Sequence, residues 1–394
     1  MQPLPSTEAQ SLSTFDALGR VLTHEVRSAL DVPPADNTSM DGYALRCADV
    51  LAPGAVLPVS QRIPAGVVGV SLQPGSAARV FTGAQVPAGA DAVVMQEQCE
   101  LVPDRLAEGV KVNTVPEPGQ WIRRRGEDVR AGDVVLRAGT RLTPQALGLA
   151  ASVGAARLTV ARVPRVALFS TGDELVMPGE PLKPGAIYNS NRYTLRALIQ
   201  ALGCECADLG IVPDRLDATR EALRRAAQGA DLIVTSGGVS VGEEDHLRPA
   251  VQAEGRVDLW QIAIKPGKPF AFGEVRRGDG SVAHFVGLPG NPVSSFVTFL
   301  VMVRPLLLRL QGATELAPKR TRLRADFDWP RPDRRREFMR ARRNDSGGLD
   351  LFANQSSGVL ASAVWGDGLV DNPAGCAIRP GDGVDFLSFA EMMS

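Results

Sequence analysis

Apolar and polar positions divide the chain into stretches of different period. Between Ser11 and Leu30, the residues Leu12, Phe15, Leu18, Leu22 and Val26 recur at three- and four-residue steps, which predicts one amphipathic helix. The following DVPPADNTSMDGYAL holds a Pro-Pro and an Asp-Gly pair and predicts irregular chain. Residues 45–140 are rich in Val, Pro and Gly, with short runs such as Ala92-Val93-Val94-Met95, and show no sustained helical period. A small all-β domain is expected there.

From about Arg165 the pattern changes. Short apolar runs, VALFST (166–171), ADLGIV (207–212), LIVTS (232–236) and DLWQIAI (258–264), alternate with helical segments. Leu195, Leu198, Ile199 and Leu202 share one helical face that stops at Gly203, and further helices are expected over Leu216–Gln228 and His246–Glu254. This alternation predicts right-handed βαβ units on a parallel sheet. FAFGEV and VAHFVGL around Gly278-Asp279-Gly280 read as a hairpin, and Val293–Gln311 as a long helix. Beyond Ala317-Pro318 short strands return and form a separate β domain. No internal repeat or low-complexity segment interrupts the chain.

A chain of 394 residues exceeds one ordinary core, so two to four domains are expected. Lys plus Arg (43) nearly cancels Asp plus Glu (44), which gives no bulk charge for nucleic acid. MQPLPSTEAQ lacks a basic region followed by an apolar stretch, so no signal peptide is expected. The apolar run around Phe299–Leu308 is broken by Arg304 and Pro305 and reads as too short for a bilayer. Cys47, Cys99, Cys204, Cys206 and Cys376 form no Cys-x-x-Cys pair, which suggests reduced thiols and a cytoplasmic protein. His24, His246 and His284 lie in unrelated segments, so any metal is expected to be a hard cation on carboxylates.

Ligands of open parallel sheets bind beyond the carboxyl ends of the strands. Three such ends carry Gly-rich loops: STGDE (170–174), SGGVSVGEED (236–245) and GLPGNP (287–292). Glycines let backbone N–H groups approach a ligand, Ser236, Ser240 and Ser294 add hydroxyls, and the helix after Pro292 points its positive end at its loop. Together they suit a phosphate or another oxyanion. Neither a Walker loop nor a Gly-x-Gly-x-x-Gly fingerprint is present. Asp173, Glu174 and Asp245 near such an anion imply a divalent cation, Mg²⁺, whereas Glu243 and Glu244 read as solvated trim. Lys265 and Lys268 on the proline-stiffened KPGKP loop, and Arg340 among apolar residues in EFMRAR, are further anion candidates. The runs Arg123–Arg125 and Arg334–Arg336 read as solvated faces.

Taken in order, DNTSMDGYAL, FTGAQVPAGADAVVMQEQ, RRRGEDVRAGDVVLRAGT, FSTGDELV, TSGGVSVGEEDH, IKPGKPFAFG and GLPGNPVSSF resemble the MoeA family of molybdopterin molybdenumtransferases, relatives of the gephyrin E domain. REFMRAR and QSSGVLASAV fit its last domain more loosely. The resemblance implies a multi-domain α/β plus β protein. A linker domain with an N-terminal helix covers 1–44 and 136–163, and an inserted β domain 45–135. A three-layer α/β domain of the molybdopterin-binding fold covers 164–312, and a C-terminal β-barrel 313–394.

The implied reaction takes adenylylated molybdopterin and molybdate, inserts molybdenum with Mg²⁺, and releases AMP. By motif, Asp245, Ser240 and Glu174 would serve adenylate cleavage and the cation. Lys265, Lys268, Arg340 and Ser357 would hold molybdate. Thr171, Gly172, Asp173, Ser236, Gly237, Gly238, Pro289, Gly290, Asn291, Pro292 and Ser294 would line the pterin and phosphate site. Asp41, Thr82 and Asp128 would complete the cleft from a partner in a homodimer. A molybdopterin adenylyltransferase and recipient molybdoenzymes are expected partners, nucleic acid and membrane are not. The alternatives are a molybdopterin adenylyltransferase, which would lack the flanking β domains, and a non-catalytic pterin-binding scaffold. Tungstate in place of molybdate stays open, since the two anions are alike in size and charge.

Overall fold

The computed structural model describes residues 8–103, 108–239 and 246–393. Its centre is a six-stranded sheet with helices on both faces. The elements of this domain are β1 (Arg165–Thr171), α1 (Ser190–Ala201), β2 (Glu205–Val212), α2 (Leu216–Gly229), β3 (Leu232–Ser236), α3 (Leu247–Glu254), β4 (Gly255–Gln261), β5 (Pro269–Arg276), β6 (Val282–Leu288) and α4, a continuous helix over Pro292–Leu310. Strand order is β2-β1-β3-β6-β5-β4. The first four are mutually parallel, while β5 runs antiparallel to both β6 and β4, so the expected hairpin turns the sheet into a mixed one.

The period of two along each strand sorts its side chains between two cores. Val166, Leu168, Val234 and Leu288 pack with α1 and α4, and Ala167, Phe169, Ile233 and Phe285 pack with α2 and α3. Helix α4 contains a π segment, Phe299–Val303, just before Pro305. Proline has no N–H to give to the preceding turn, and a wider turn accommodates it without breaking the helix. The helix is 19 residues long and apolar enough by length to cross a bilayer, longer than the apolar run suggested, but 67% of that window is buried inside the protein. It is a core helix of this domain.

The N-terminal region departs from expectation. Instead of a helix over Ser11–Leu30, the chain forms a strand, Ala9–Ser13, a single 3₁₀ turn, Thr14–Asp16, and a two-residue strand, Val26–Arg27. Ala9–Ser13 pairs antiparallel with Arg157–Ala161, and Gly19 takes φ +73°, which ends any helical run. Phe15 and Leu18, two residues of the supposed apolar face, are exposed. A helix does form further on, over Pro144–Ser152, where Thr143 Oγ1 accepts from the Ala146 amide at 3.3 Å and Pro144 occupies the first turn.

A second six-stranded sheet, built from strands between Gly42 and Val112, forms the all-β unit, with no α-helix among its described residues. The arginine run 123–125 is exposed, and two of its members are ion-paired, Arg124 to Asp36 at 2.7 Å and Arg125 to Asp31 at 2.6 Å. At the C-terminal end, strands Thr321–Ala325, Arg336–Arg343, Gly348–Leu351, Gly368–Asn372 and Gly383–Ser388 close into a barrel. Ile264-Lys265 adds to this barrel beside Arg336–Glu337, so the KPGKP loop is hydrogen-bonded to it. Phe338, Leu369 and Phe389 of the barrel region continue the α1/α4 core.

Candidate active site

At the carboxyl ends of β1, β3 and β6 lies a cavity of about 600 Å³. Thr171, Gly172, Glu174, Ser236, Gly237, Gly238, Pro289, Gly290, Asn291, Pro292 and Ser294 line it, as the strand-end argument anticipates. Asp173 does not, and accepts instead from the Asp214 amide at 3.1 Å. Ser240 and Asp245, with Glu243 and Glu244, lie outside the described residues.

Backbone geometry holds the three loops together. Gly237 and Gly238 take φ +95° and +63°, and the Gly237 amide donates to Leu288 O at 3.1 Å. A side chain at 237 would collide with the Thr171 carbonyl, so glycine is needed for the β1 and β3 ends to meet. Sequence reasoning passed over Asn191, whose Nδ2 donates to Ser236 Oγ at 2.8 Å and Gly290 O at 2.7 Å, tying the β3 loop to the β6 loop. It also passed over Asn189, whose Oδ1 caps α1 by accepting from the Arg192 amide at 3.1 Å. The signal available was an Asn-Ser-Asn just before an amphipathic helix, a cap position beyond a strand end. Two buried polar atoms on the wall, Thr171 Oγ1 and Asn189 Nδ2, have no hydrogen-bond partner among the described residues, as in a site shaped for a polar ligand.

Lys265, Lys268, Arg340 and Ser357 do not themselves line this cavity, although neighbours of theirs in the chain do. Pro269 of KPGKP and Gly358 of QSSG both line it, and Ser357 O accepts from the Val293 amide at 3.0 Å in the first turn of α4. Lys268 is exposed. Lys265 is ion-paired, with Nζ 3.2 Å from Glu337 Oε1 and 3.5 Å from Asp333 Oδ2. Arg340 is 1% exposed, and its Nε donates to Ser362 Oγ at 2.9 Å and its Nη2 to Ser356 O at 3.2 Å. The carboxylate that sequence reasoning offered it as one of two partners is missing among the described residues, and burial pulls its guanidinium down to about 10. A buried cation satisfied only by neutral oxygens still lacks a counter-charge at neutral pH.

In the run Arg334–Arg336, Arg334 and Arg336 are exposed, Arg336 forks onto Asp371 with 2.6 Å bonds and Arg335 onto Asp333 with 2.9 Å bonds. None of Asp41, Thr82 and Asp128 lines the cavity. The Asp41 carboxylate accepts from both the amide and hydroxyl of Thr82 at 2.7 Å, and these bonds hold it below the usual carboxylate range.

The donors at the cavity mouth are oxygens, the Thr171 hydroxyl and the Glu174 and Asp214 carboxylates, with no His or Cys. That set suits a hard cation. Among the described residues no cluster of three or more His, Cys, Asp or Glu could hold a metal.

Comparison with known proteins shows the family of the chain. Residues 1–154 match the MoeA N-terminal region (domain I and II), 167–309 a probable molybdopterin binding domain, and 322–389 the MoeA C-terminal region (domain IV). The chain belongs to the MoeA family. A Haemophilus influenzae relative named molybdopterin molybdenumtransferase is 46% identical over 79% of this chain and 74% of its own. Another, molybdopterin molybdenumtransferase 2 of Mycobacterium tuberculosis, is 38% identical over 94% of this chain and 90% of its own. The solved MoeA protein of Pyrococcus horikoshii, at 28% identity, superposes with a TM-score of 0.82 over 97% of this chain and 95% of that one. The cavity spans two of the matches: its strand-end loops belong to the molybdopterin-binding match, and Gly358 to the C-terminal match.

Proposed function

We propose that the cavity binds adenylylated molybdopterin and that molybdate enters at its basic edge, between Lys268, Lys265 and Arg340. Family membership carries the reaction class: the chain is a transferase of molybdenum cofactor biosynthesis, which inserts molybdenum. The observation that carries the site is the meeting of three glycine-rich strand ends around one cavity, near which a buried arginine without a carboxylate partner among the described residues bonds Ser356 O in the segment that supplies the lining Gly358.

Each element has a chemical task. Loop amides and the positive end of α4 face the pterin phosphate. Thr171 and Asn189 offer the substrate polar atoms that are unpaired among the described residues. Arg340 and the KPGKP lysines meet a doubly charged oxyanion, where charge-assisted hydrogen bonds are strongest. Mg²⁺ would be held by Glu174 and Asp214 together with phosphate oxygens, and supplies charge neutralisation as the anhydride to AMP is cleaved. Asp245, beyond the described residues, is the further carboxylate for that cleavage. Because Asp41, Thr82 and Asp128 do not line the cavity of a single chain, they would act from the partner in a homodimer.

Incubation of the chain with adenylylated molybdopterin should release AMP only when molybdate and Mg²⁺ are both present, and the product should activate a cofactor-free molybdoenzyme. EDTA should stop AMP release, and added Mg²⁺ should restore it. Absence of AMP release under these conditions would sink the reading. Conversion of molybdopterin and ATP into adenylylated molybdopterin would support the adenylyltransferase instead.

A further inference from the structure

Lys265 is assigned to the oxyanion, yet two carboxylates already hold its ammonium. Glu337 is 1% exposed, and its Oε1 accepts from Lys265 Nζ at 3.2 Å. Its other oxygen accepts from Trp329 Nε1 at 2.9 Å, the Asp333 amide at 3.1 Å and Asn372 Nδ2 at 3.4 Å. A carboxylate with this many donors is fixed in orientation. Asp333, the second partner, is itself held by the fork of Arg335. The backbone repeats the contact, because Lys265 and Glu337 are register partners in the parallel pairing of loop and barrel.

An ammonium has three N–H donors on a flexible four-carbon stem. Glu337 accepts one of them, Asp333 adds an ion pair at 3.5 Å, and the side chain stays 40% exposed, which leaves donor capacity for a ligand. We propose that Glu337 is a positioning residue for oxyanion binding: it fixes the Lys265 ammonium so that its remaining donors face the anion, with the Asp333 ion pair as the weaker support. Without that hold the lysine must be ordered by the anion itself, and affinity falls by the lost side-chain freedom. The inference rests on the reading of this edge as the molybdate site.

The test measures molybdate binding to the full chain by titration calorimetry, in the parent, Lys265→Ala, Glu337→Gln and the double variant. Glu337→Gln is expected to weaken molybdate about 5- to 10-fold, and the double variant to bind no worse than Lys265→Ala alone, because Glu337 acts through that ammonium. In turnover, half-saturating molybdate should rise by the same factor while the rate at saturating molybdate holds.

Additive losses, unchanged affinity, or tighter molybdate on Glu337→Gln would each overturn the positioning role. If Glu337→Gln does not fold, Asp333→Asn carries the same test, with a smaller loss that vanishes on the Lys265→Ala background. A parent chain that neither binds molybdate nor releases AMP overturns the functional reading and this inference together. A parent that does both while the losses add overturns the inference alone.

Discussion

Arg340→Met is expected to raise half-saturating molybdate about 100-fold while leaving the melting temperature close to that of the parent. The two halves of this result have different physical origins. Charge-assisted hydrogen bonds to an oxyanion contribute about 1.5–3 kcal/mol each, so losing a forked pair reaches two orders of magnitude. Stability behaves otherwise, because the guanidinium is buried without a carboxylate and desolvation already pulls it down to about 10. An apolar side chain of similar length removes that burial penalty as it removes the bonds to Ser362 and Ser356, and the Ser362 hydroxyl still donates to Val359 O at 2.6 Å. Arg340→Lys should recover only part of the affinity, since a point charge cannot form the planar fork. Thermal melts and molybdate titrations of both variants check this. A large fall in melting temperature would make Arg340 a structural strut, and unchanged molybdate affinity would remove it from the site.

What the sequence disclosed about this site follows the range of the interactions involved. Gly237, Gly238 and Asn291 were legible because a strand end, a glycine requirement and a helix start are all written within a few residues. The partners of Lys265 were not, because Glu337 lies 72 residues away and reaches it only after the barrel has closed. Arg340 was read as needing an anion or a carboxylate, and only its burial and neutral neighbours decide against the carboxylate. The supposed helix at Ser11–Leu30 failed for the same reason of range. Its apolar spacing is real, but backbone pairing with Arg157–Ala161 outweighs a local period, and Arg157 also bonds Ser11 from 146 residues away. The middle of the central domain was legible because β1, β3 and β6 are buried on both faces and so read as continuous apolar runs.

The glycine at 237 sets the other large effect. Gly237→Ala is expected to destabilise the chain by about 2–4 kcal/mol, since φ +95° is unfavourable for any side chain and the new methyl meets a backbone carbonyl. That carbonyl belongs to Thr171, so relief of the collision must separate the ends of β1 and β3 where both line the cavity. Reacting groups displaced by about 1 Å lose roughly 100-fold in rate, and AMP release should fall by at least that much even at a temperature where the variant is folded. Gly290→Ala provides the contrast. Gly290 lines the same cavity, yet a methyl there would touch only the Gly237 Cα at 4.0 Å, so its stability should match the parent. Melting curves of the two variants, with AMP release measured well below either transition, separate backbone strain from crowding of the ligand. Equal stability of the two would mean that the β1 and β3 ends can part without cost, and the rigid strand-end cradle argued for the pterin phosphate would be wrong.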